Sequence, residues 1–286
     1  MKIAFLTSNK YPEILEKEKI LASQLPEKFK VKIEIWNDPK VDWASYDCLV
    51  FRTIWDYFEY PKEFDTWLNL IEKLGVKTLN PLSIIKYNQH KFYLKDLEKQ
   101  DIAIIPTVFI PKNTRFDLGF IKDKQWGKAV IKPAVSGGSY LTRLFSEDEI
   151  SDVEAEYRCL AQETDFLMQP FMSEIEENGE ISLLYFNGKY VYSVIKTPKK
   201  GDFRVQSLFG GHYEEYKPNE DLIKTGEKII QKFNSDLLYA RVDGIIKNGQ
   251  FLLMEVELIE PDLYFDFVAE AKNLYLKALE TKLNSL

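Results

Sequence analysis

The sequence predicts a small parallel α/β domain followed by two lobes of α+β character. Strand-like and helix-like apolar patterns alternate over roughly the first 80 residues, as expected for a parallel sheet covered by helices. Farther along, two pairs of apolar strands are each joined by Asn-Gly, at 187–188 and 248–249. Asn-Gly between apolar strands is a strong local signal for an antiparallel hairpin. The later part of the chain should therefore differ in topology from the first.

The spacing of apolar residues places the elements of the first domain. Apolar runs predict strands at 2–7, 31–36 and 47–51, and helical spacing predicts helices at 13–25 and around 64–71. The second helix should end at Gly75, because glycine favours helix ends. Asn80-Pro81 is a turn signal, so we expect the first domain to cover residues 1–82.

The rest of the chain is expected to form lobes at 83–172 and 173–286. Between 82 and 110 we predict one helix, with Asn88 as its N-cap, and a strand near Thr107. Strands follow at 129–132 and 167–169, each ended by a proline. The two Asn-Gly hairpins pair 181–186 with 189–196 and 240–247 with 250–258, and helices are predicted at 221–233 and 265–283.

Composition narrows the function classes. The chain has 286 residues, a formal net charge of −7, two His and two Cys. The negative net charge argues against a nucleic-acid partner. The small number of His and Cys residues argues against a zinc site or a Ser-His-Asp hydrolase. The sequence has no apolar stretch of about 18 residues, so we expect no membrane span and predict a cytoplasmic protein.

The segment 130–139 combines a lysine at a strand end with a flexible loop. Lys132 follows an apolar run and precedes Pro133, which holds the lysine backbone extended. In the loop Ser136-Gly137-Gly138-Ser139, backbone N–H groups can approach phosphate oxygens. A surface lysine beside a flexible turn is an equally open interpretation. The common P-loop and dinucleotide-binding motifs are absent from the sequence.

The last hairpin contains three acids, Asp243, Glu255 and Glu257, within otherwise apolar strands. Buried carboxylates are costly unless they meet cations. Three carboxylates on one face would make an oxygen-rich site suited to Mg²⁺. An acid–arginine network at the surface is the alternative.

The register of this hairpin decides whether the acids share a face. A two-residue turn at Asn248-Gly249 would pair Val242 with Glu255 and put Asp243 on the other face. A three-residue turn with a glycine bulge would pair Arg241 with Glu255 and Asp243 with Leu253. We predict the second register because Arg241 and the three acids then lie on one face. Opposite them would lie Val242, Ile246, Leu252, Met254 and Val256.

Two arginines outside the hairpin are candidate anion-binding residues. Arg204 lies between Gly201 and Gly210-Gly211, and an arginine between flexible segments suits a bidentate contact with phosphate or carboxylate. Arg52 and Asp56 follow a strand and are candidates for binding a zwitterionic substrate. A local salt bridge between them is an equally open interpretation.

Taken in order, these segments resemble the ATP-grasp superfamily over about residues 80–270. The resemblance is carried by Lys91, Ile131-Lys132-Pro133, the loop at 136–139, Gln169-Pro170-Phe171-Met172, Gly179-Glu180, Arg204, Asp243 and Glu255-Val256-Glu257. It implies an ATP-grasp fold, in which a small pre-ATP-grasp domain precedes two α+β lobes with adenine bound between them.

The resemblance also implies roles for individual residues. Lys91 and Lys132 would hold adenine or phosphates, and Glu180 would bind the ribose hydroxyls. Other nucleotide contacts would come from the loop and the linker, at Ser136, Gly137, Gly138, Gln169, Phe171 and Met172.

The remaining roles concern the metal, the phosphoryl group and the substrate. Asp243, Glu255 and Glu257 would hold Mg²⁺, although family members often have Asn at the position of Glu257, which makes this site more acidic. Arg204 and Arg241 would supply positive charge during catalysis. The candidate substrate contacts are Arg52, Asp56, Gly210 and Gly211.

A narrower resemblance spans nearly the whole chain. The segments 52–57, 132–138, 201–206, 239–243 and 255–261 look like the ATP-grasp group that contains the cyclo-ligase of cycloserine biosynthesis. The resemblance to ATP-grasp ligases in general implies that ATP activates a substrate carboxylate as an acylphosphate, which an amine or similar nucleophile attacks while ADP and phosphate leave.

We therefore predict a carboxylate–amine ligase that uses ATP and Mg²⁺ on an amino acid or small peptide. Two alternatives stay open: an intramolecular cyclo-ligase of an amino-acid derivative, and a nucleotide-binding or partner-binding protein without turnover. A homodimer is a candidate assembly, because related ligases are often dimers.

Overall fold

Three β-sheets organise the computed structural model, which describes residues 1–202, 204–233 and 236–286 apart from the side chain of Ser207. The first sheet is parallel, with strand order β2-β1-β3-β4. Its strands are β1 (Lys2–Thr7), β2 (Lys30–Ile35), β3 (Cys48–Thr53) and β4 (Lys77–Leu79). Helix α1 (Glu16–Ser23) connects β1 to β2, and α2 (Pro61–Leu74) connects β3 to β4.

The two helices of this region show how closely local sequence sets their ends. Helix α2 begins at Pro61 and ends before Gly75, whose φ of 68° is the left-handed conformation that glycine adopts easily. Its buried face carries the four apolar residues that the spacing predicted, Phe64, Trp67, Leu68 and Ile71. Helix α1 begins later than predicted, because Ile14 has a φ of 52°, which no α-helix accommodates.

The second sheet is antiparallel, with strand order β5-β8-β6-β7. Its strands are β5 (Val108–Ile110), β6 (Lys128–Pro133), β7 (Arg143–Ser146) and β8 (Phe166–Pro170). The helices of this region are α3 (Leu82–Asn88), α4 (Tyr93–Glu98), α5 (Phe120–Asp123) and α6 (Ile150–Tyr157).

The third sheet is also antiparallel, with strand order β11-β10-β9-β12-β13. Its strands are β9 (Glu180–Phe186), β10 (Lys189–Thr197), β11 (His212–Tyr216), β12 (Tyr239–Lys247) and β13 (Gln250–Glu257). The helices are α7 (Glu174–Asn178), α8 (Glu220–Gln231) and α9 (Ala271–Asn284). Both Asn-Gly hairpins are present, and the predicted fold class is confirmed.

Asn88 does not cap a helix, so that prediction is wrong. It ends α3, and a separate helix, α4, begins at Tyr93. Its side-chain amide donates to the Val256 carbonyl at 2.8 Å and accepts from the Leu258 N–H at 2.9 Å. Asn88 therefore completes the backbone hydrogen bonding of β13, which fixes that strand beside α3.

The first sheet and the end of the chain share one apolar core. Tyr275 and Leu279 of α9 are buried together with Ile3 and Phe5 of β1. The lobe boundaries at 82 and 172 stay a prediction. Within the described residues, no helix combines the length and the apolar character that a membrane crossing requires.

Candidate active site

A cleft of about 390 Å³ is lined by residues from all three sheet regions. Eight of the predicted nucleotide contacts from the second region line it, namely Lys91, Lys132, Ser136, Gly137, Gly138, Gln169, Phe171 and Met172. Six predicted residues from the third region line it as well: Glu180, Arg204, Arg241, Asp243, Glu255 and Glu257. Residues far apart in sequence thus meet in one cavity.

Lys132 projects into the cleft from the end of β6. Burial lowers the pKa of its ammonium, while the charge of Glu255 opposes this shift. Lys132 forms no ion pair with any residue that the structure describes. An unneutralised, largely desolvated cation at a strand end is suited to an anionic ligand.

The small loop after β6 is held on both sides. The Ser136 hydroxyl donates to the Pro133 carbonyl at 2.9 Å, and the Ser136 carbonyl accepts from Lys91 Nζ at 2.5 Å. Gly137 packs so closely on the ring of Phe58 that a Cβ would lie 2.7 Å from Cε1. Only glycine fits there without displacing the ring, so the loop contacts the first sheet region through this residue.

Lys91 connects the two lobes across the cleft. Its Nζ lies 3.0 Å from Glu255 Oε1 on β13, in addition to its bond to the Ser136 carbonyl. The lysine side chain is buried, and the backbone N–H of Lys91 donates to the Ala134 carbonyl at 2.8 Å. One cation therefore joins the loop after β6 to the acidic strand.

An apolar surface borders the linker after β8. Met172 is buried and packs with Ile105, Ile245 and Val205. The Phe171 N–H donates to the Lys128 carbonyl at 2.9 Å, and Gln169 Nε2 donates to Thr107 Oγ1 at 2.9 Å. The linker backbone is thus held beside a surface suited to a planar apolar group.

Strands β12 and β13 pair in neither of the two registers considered from sequence. Lys247 faces Gln250, so Asn248-Gly249 is a two-residue turn, but a bulge at Met254 brings Asp243 opposite Glu255 and Arg241 opposite Glu257. The predicted register is therefore wrong. Its consequence still holds, because directly opposed residues share a face, and Arg241 and the three acids all line the cleft.

The bulge changes the predicted apolar face. Leu252 and Met254 pack with Ile245 on the cleft side, instead of lying with Val242 and Val256 in the core behind the sheet. Gly244 permits the close strand approach at this point, since a Cβ there would lie 2.4 Å from the Leu252 carbonyl oxygen. Alternation alone could not predict this, because an inserted residue reverses the pattern beyond it.

Arg241 holds two of the three acids. Its Nε and Nη2 donate to Asp243 Oδ2 at 3.0 and 2.8 Å, and Nη2 also donates to Glu257. Burial opposes ionisation of Asp243, but Arg241 and Lys196 outweigh it and lower the pKa of that carboxyl. Burial raises the pKa of Glu257 to about 7, although Arg241 acts in the opposite direction.

Lys196 is a further buried cation of the cleft, and the sequence did not lead us to predict it. It lies on β10, where its Nζ contacts the Glu180 carboxylate and lies 3.6 Å from Asp243 Oδ1. Burial lowers the pKa of Lys196, but Asp243 and Glu180 raise it further than burial lowers it. Burial in turn raises the pKa of Glu180 against the effect of Lys196. A lysine within an apolar strand was the available signal.

Each of the three predicted metal ligands forms an ion pair with a basic side chain in this structure. Asp243 and Glu257 face Arg241, and Glu255 faces Lys91. Across the described ranges, no group of three or more His, Cys, Asp or Glu side chains is arranged to hold a metal ion. Glu255 and Glu257 are about a quarter exposed to the cleft, which leaves their carboxylates accessible to a ligand.

Arg52 and Asp56 do not reach the cleft, so the substrate role predicted for them has no support. Arg52 is 2% exposed and forms a bidentate ion pair with Glu18, at 2.8 and 2.7 Å. Asp56 accepts a hydrogen bond from Trp36 Nε1 at 2.8 Å. The proposed salt bridge between the two is also wrong, because Arg52 reaches a helix 34 positions earlier in the chain.

The segment around Arg204 lies only partly at the cleft. Arg204 lines it, pairs with Asp202 at 2.7 Å and lies 3.7 Å from the ring centroid of Phe209. Gly210 and Gly211 are not among the lining residues. A Cβ at Gly211 would lie 1.9 Å from the Val205 carbonyl oxygen, so this glycine serves a close backbone approach. Phe203 of the sequence motif lies outside the described residues.

Two further lining groups come from the segments after β3 and β13. Trp55 and Tyr57 were part of a sequence motif, but without a role, and Glu260 was not singled out. Trp55 Nε1 donates to the Glu260 carbonyl at 2.9 Å. The first sheet region therefore forms part of the cleft wall.

Comparisons with known proteins agree with this architecture. Residues 92–262 match the family model described as prokaryotic glutathione synthetase, ATP-grasp domain, and residues 3–80 match that of the D-cycloserine synthetase DcsG N-terminal domain. The chain is 23% identical over 267 residues to the cycloserine biosynthesis protein DcsG of Streptomyces lavendulae, covering 87% of each protein. It is 24% identical over 197 residues to glutathione synthetase of Prochlorococcus marinus subsp. pastoris, covering 68% of this chain and 60% of that protein.

Solved structures show the same fold. The crystal structure of D-cycloserine synthetase DcsG superposes with a TM-score of 0.85 at 20% identity, covering 99% of this chain and 100% of that one. The D-alanine–D-alanine ligase from Bacillus anthracis complexed with ATP superposes with a TM-score of 0.69 at 17% identity, covering 99% and 96%.

Proposed function

Because the chain belongs to the ATP-grasp family of ADP-forming ligases, we propose that it joins a small carboxylate substrate to an amine with ATP and Mg²⁺. The carboxylate would be activated as an acylphosphate, and the amine would then displace phosphate. The observation that carries the proposal is the cleft itself, in which Lys91, Lys132 and Arg241 face the acidic strand β13.

The basic residues are suited to the phosphates of ATP. Phosphoryl transfer depends on positioning and on neutralising charge more than on a protein nucleophile, which agrees with a site that contains no Cys or His among its described lining residues. Lys132 has no ion pair within the described chain and would take phosphate directly. The backbone N–H groups at 136–138 would add further donors, and the surface at Met172 would contact the adenine.

The acidic residues are suited to Mg²⁺. Mg²⁺ in such sites is held by one or two carboxylates together with substrate phosphates and water, so Glu255 and Glu257 supply a sufficient set, with Asp243 beside them. When bound, the metal would neutralise charge on the phosphates. We propose that Lys91 and Arg241 move from these carboxylates to phosphate oxygens when nucleotide and metal enter, so that each charge exchanges one partner for another.

Thermal unfolding with ATP, ADP and GTP, each with and without Mg²⁺, tests this function. A nucleotide at about a hundred times its Kd should add roughly 2.7 kcal/mol to the free energy of unfolding. We expect a magnesium-dependent rise in Tm for ATP over GTP in the wild type and its loss in Lys132→Met. Lys128→Met, at the exposed start of the same strand, is the matched control and should keep the rise. No response to any nucleotide would contradict the proposal.

Intramolecular ring closure is a second candidate function. It is favoured by the match to the DcsG N-terminal domain over residues 3–80 and by the relationship to DcsG over 87% of the chain. Mass spectrometry of the products separates the two reactions. Cyclisation converts one substrate to a product lighter by one water, whereas ligation gives a product that contains both substrates.

A further inference from the structure

Glu260 differs from the other carboxylates that line the cleft. Each of the others faces a cation: Glu180 faces Lys196, Asp243 and Glu257 face Arg241, Glu255 faces Lys91, and Asp262 faces Lys17. The Glu260 side chain has no ion pair or hydrogen bond with any residue in the described part of the chain; only its carbonyl is engaged, by Trp55. One carboxyl group of the cleft is thus left without a partner.

Ionising Glu260 is costly in this position. Burial raises the pKa of Glu260 to about 8, and the neighbouring Glu257 raises it further, against a smaller opposing effect from Lys91. Glu260 is only partly exposed, and an ionised carboxylate in such a place becomes favourable when a cation or several donors reach it. ATP cannot be that partner, because its phosphates are anionic.

The Tyr57 hydroxyl is a second polar group without a partner at the same place. Tyr57 is 5% exposed and lines the cleft, yet its hydroxyl forms no hydrogen bond with the described residues. Burial raises the pKa of Tyr57 well above its ordinary value, and among the neighbouring charges Glu260 contributes most to this rise. The hydroxyl therefore stays protonated and can both donate and accept a hydrogen bond.

Aromatic rings complete the surroundings of these two groups. Trp55 donates to the Glu260 carbonyl at 2.9 Å, which holds the indole against the segment that carries the carboxylate. The ring of Tyr11 meets Trp55 edge-on at 5.3 Å between centroids, and both rings line the cleft. Aromatic faces attract cations, and the attraction is stronger where water is excluded.

We propose that Glu260, Tyr57 and Trp55 bind the ammonium group of a free amino acid, which is a substrate of the ligase. The carboxylate would supply the charge, the hydroxyl would accept a hydrogen bond, and the indole would face the cation. This inference rests on the proposed function and assigns its substrate class: amino acids should bind in the cleft more tightly than the matching hydroxy acids. The cationic end of the cleft at Lys132 and the anionic end at Glu260 would then hold ATP and the amino acid, respectively.

Isothermal titration calorimetry of the full chain tests the assignment. The proteinogenic amino acids and their D-enantiomers are titrated singly into protein saturated with Mg²⁺ and AMP-PNP. We expect at least one to bind, and its 2-hydroxy acid analogue to bind about tenfold more weakly or worse, since a hydrogen-bonded charge is lost. Glu260→Gln should weaken the amino acid by about tenfold or more and leave the analogue and AMP-PNP within about twofold.

Two more variants keep the result interpretable. Tyr57→Phe removes one oxygen and should weaken the same amino acid by a smaller factor, which tests the site if Glu260→Gln is poorly folded. Glu27→Gln, at an exposed position, is the matched control and should change nothing. Equal binding of amino acid and hydroxy acid, an unchanged Kd in Glu260→Gln, or no binding by any amino acid would overturn this inference while AMP-PNP still binds. Loss of AMP-PNP binding in the wild type would instead count against the ligase function.

Discussion

Two buried arginines of this molecule have similar chemistry and different surroundings. Arg52 is paired with Glu18 and lies among the rings of Tyr239, Phe265 and Tyr275, with centroids at 5.1 to 5.8 Å. Arg241 is paired with Asp243 and Glu257 but also lines the cleft. An arginine–carboxylate pair is therefore a functional candidate only when a ligand can reach it. An enclosed pair of the same kind can only position the elements that carry it.

Loss of the Glu255 charge should reduce activity more than any other change proposed for the cleft, because a ligand can reach this residue. Glu255→Gln keeps the shape of the side chain but removes the charge that the proposed metal requires. We expect kcat per folded molecule to fall by about a hundredfold or more, while Tm falls only as far as the loss of the ion pair to Lys91 requires. ADP release and thermal unfolding measure the two quantities. Glu215→Gln, on an exposed edge strand, is the control, and a Glu255 variant with near-normal turnover would contradict the metal assignment.

Arg52→Met should reduce the stability of the protein and leave its activity unchanged. It leaves Glu18 buried without its partner, which costs about 3–5 kcal/mol, while kcat per folded molecule should stay unchanged. Urea unfolding measures the loss, and the double variant Glu18→Leu with Arg52→Met should recover most of it, because no charge is then left unpaired. If Arg52→Met instead raised KM at unchanged stability, Arg52 would be a substrate residue, as its position in the sequence first indicated.

The ion pair between Arg52 and Glu18 also shows which features could not be predicted from sequence. Apolar spacing and the Asn-Gly turns were enough to predict the parallel domain, both hairpins and helix α2, since those signals are local. The partner of Arg52 was not local. Asp56 was near in sequence, but Glu18 is the residue that the fold brings to it.

The residues of the cleft also fall into those that local sequence could identify and those that only the fold brings together. Lys132 and the three acids of the last hairpin were identified because charged residues stand out in apolar strands. Their register was missed, because the bulge at Met254 depends on strand packing beyond the turn. Glu260 and Tyr57 follow strands in segments without periodicity, and only the tertiary structure places them together in the cleft.

Glu260, which has no ion-pair partner among the described residues, should make a modest contribution to stability that depends on pH. The pKa of Glu260 is raised from 4.5 to about 8, so between these values the folded state holds a proton that the unfolded state has released. This contribution to stability is fully present below about pH 4.5 and is lost as the pH rises through about 8. Glu260→Gln mimics the protonated acid at every pH. The variant should therefore match the wild type at pH 5 and become the more stable of the two at pH 9.

Urea unfolding at both pH values, without ligands, measures this difference. An amino acid that places its ammonium beside Glu260 should reduce it, because the bound cation stabilises the ionised carboxylate and lowers its pKa. With the amino acid bound, the stability of the wild type should therefore fall less between pH 5 and pH 9. Glu260→Gln has no carboxyl group at this position and cannot show this change. If the two proteins kept a constant difference in stability from pH 5 to 9, Glu260 would have to be ionised and already stabilised in the cleft. The contrast with the paired acids would then be lost.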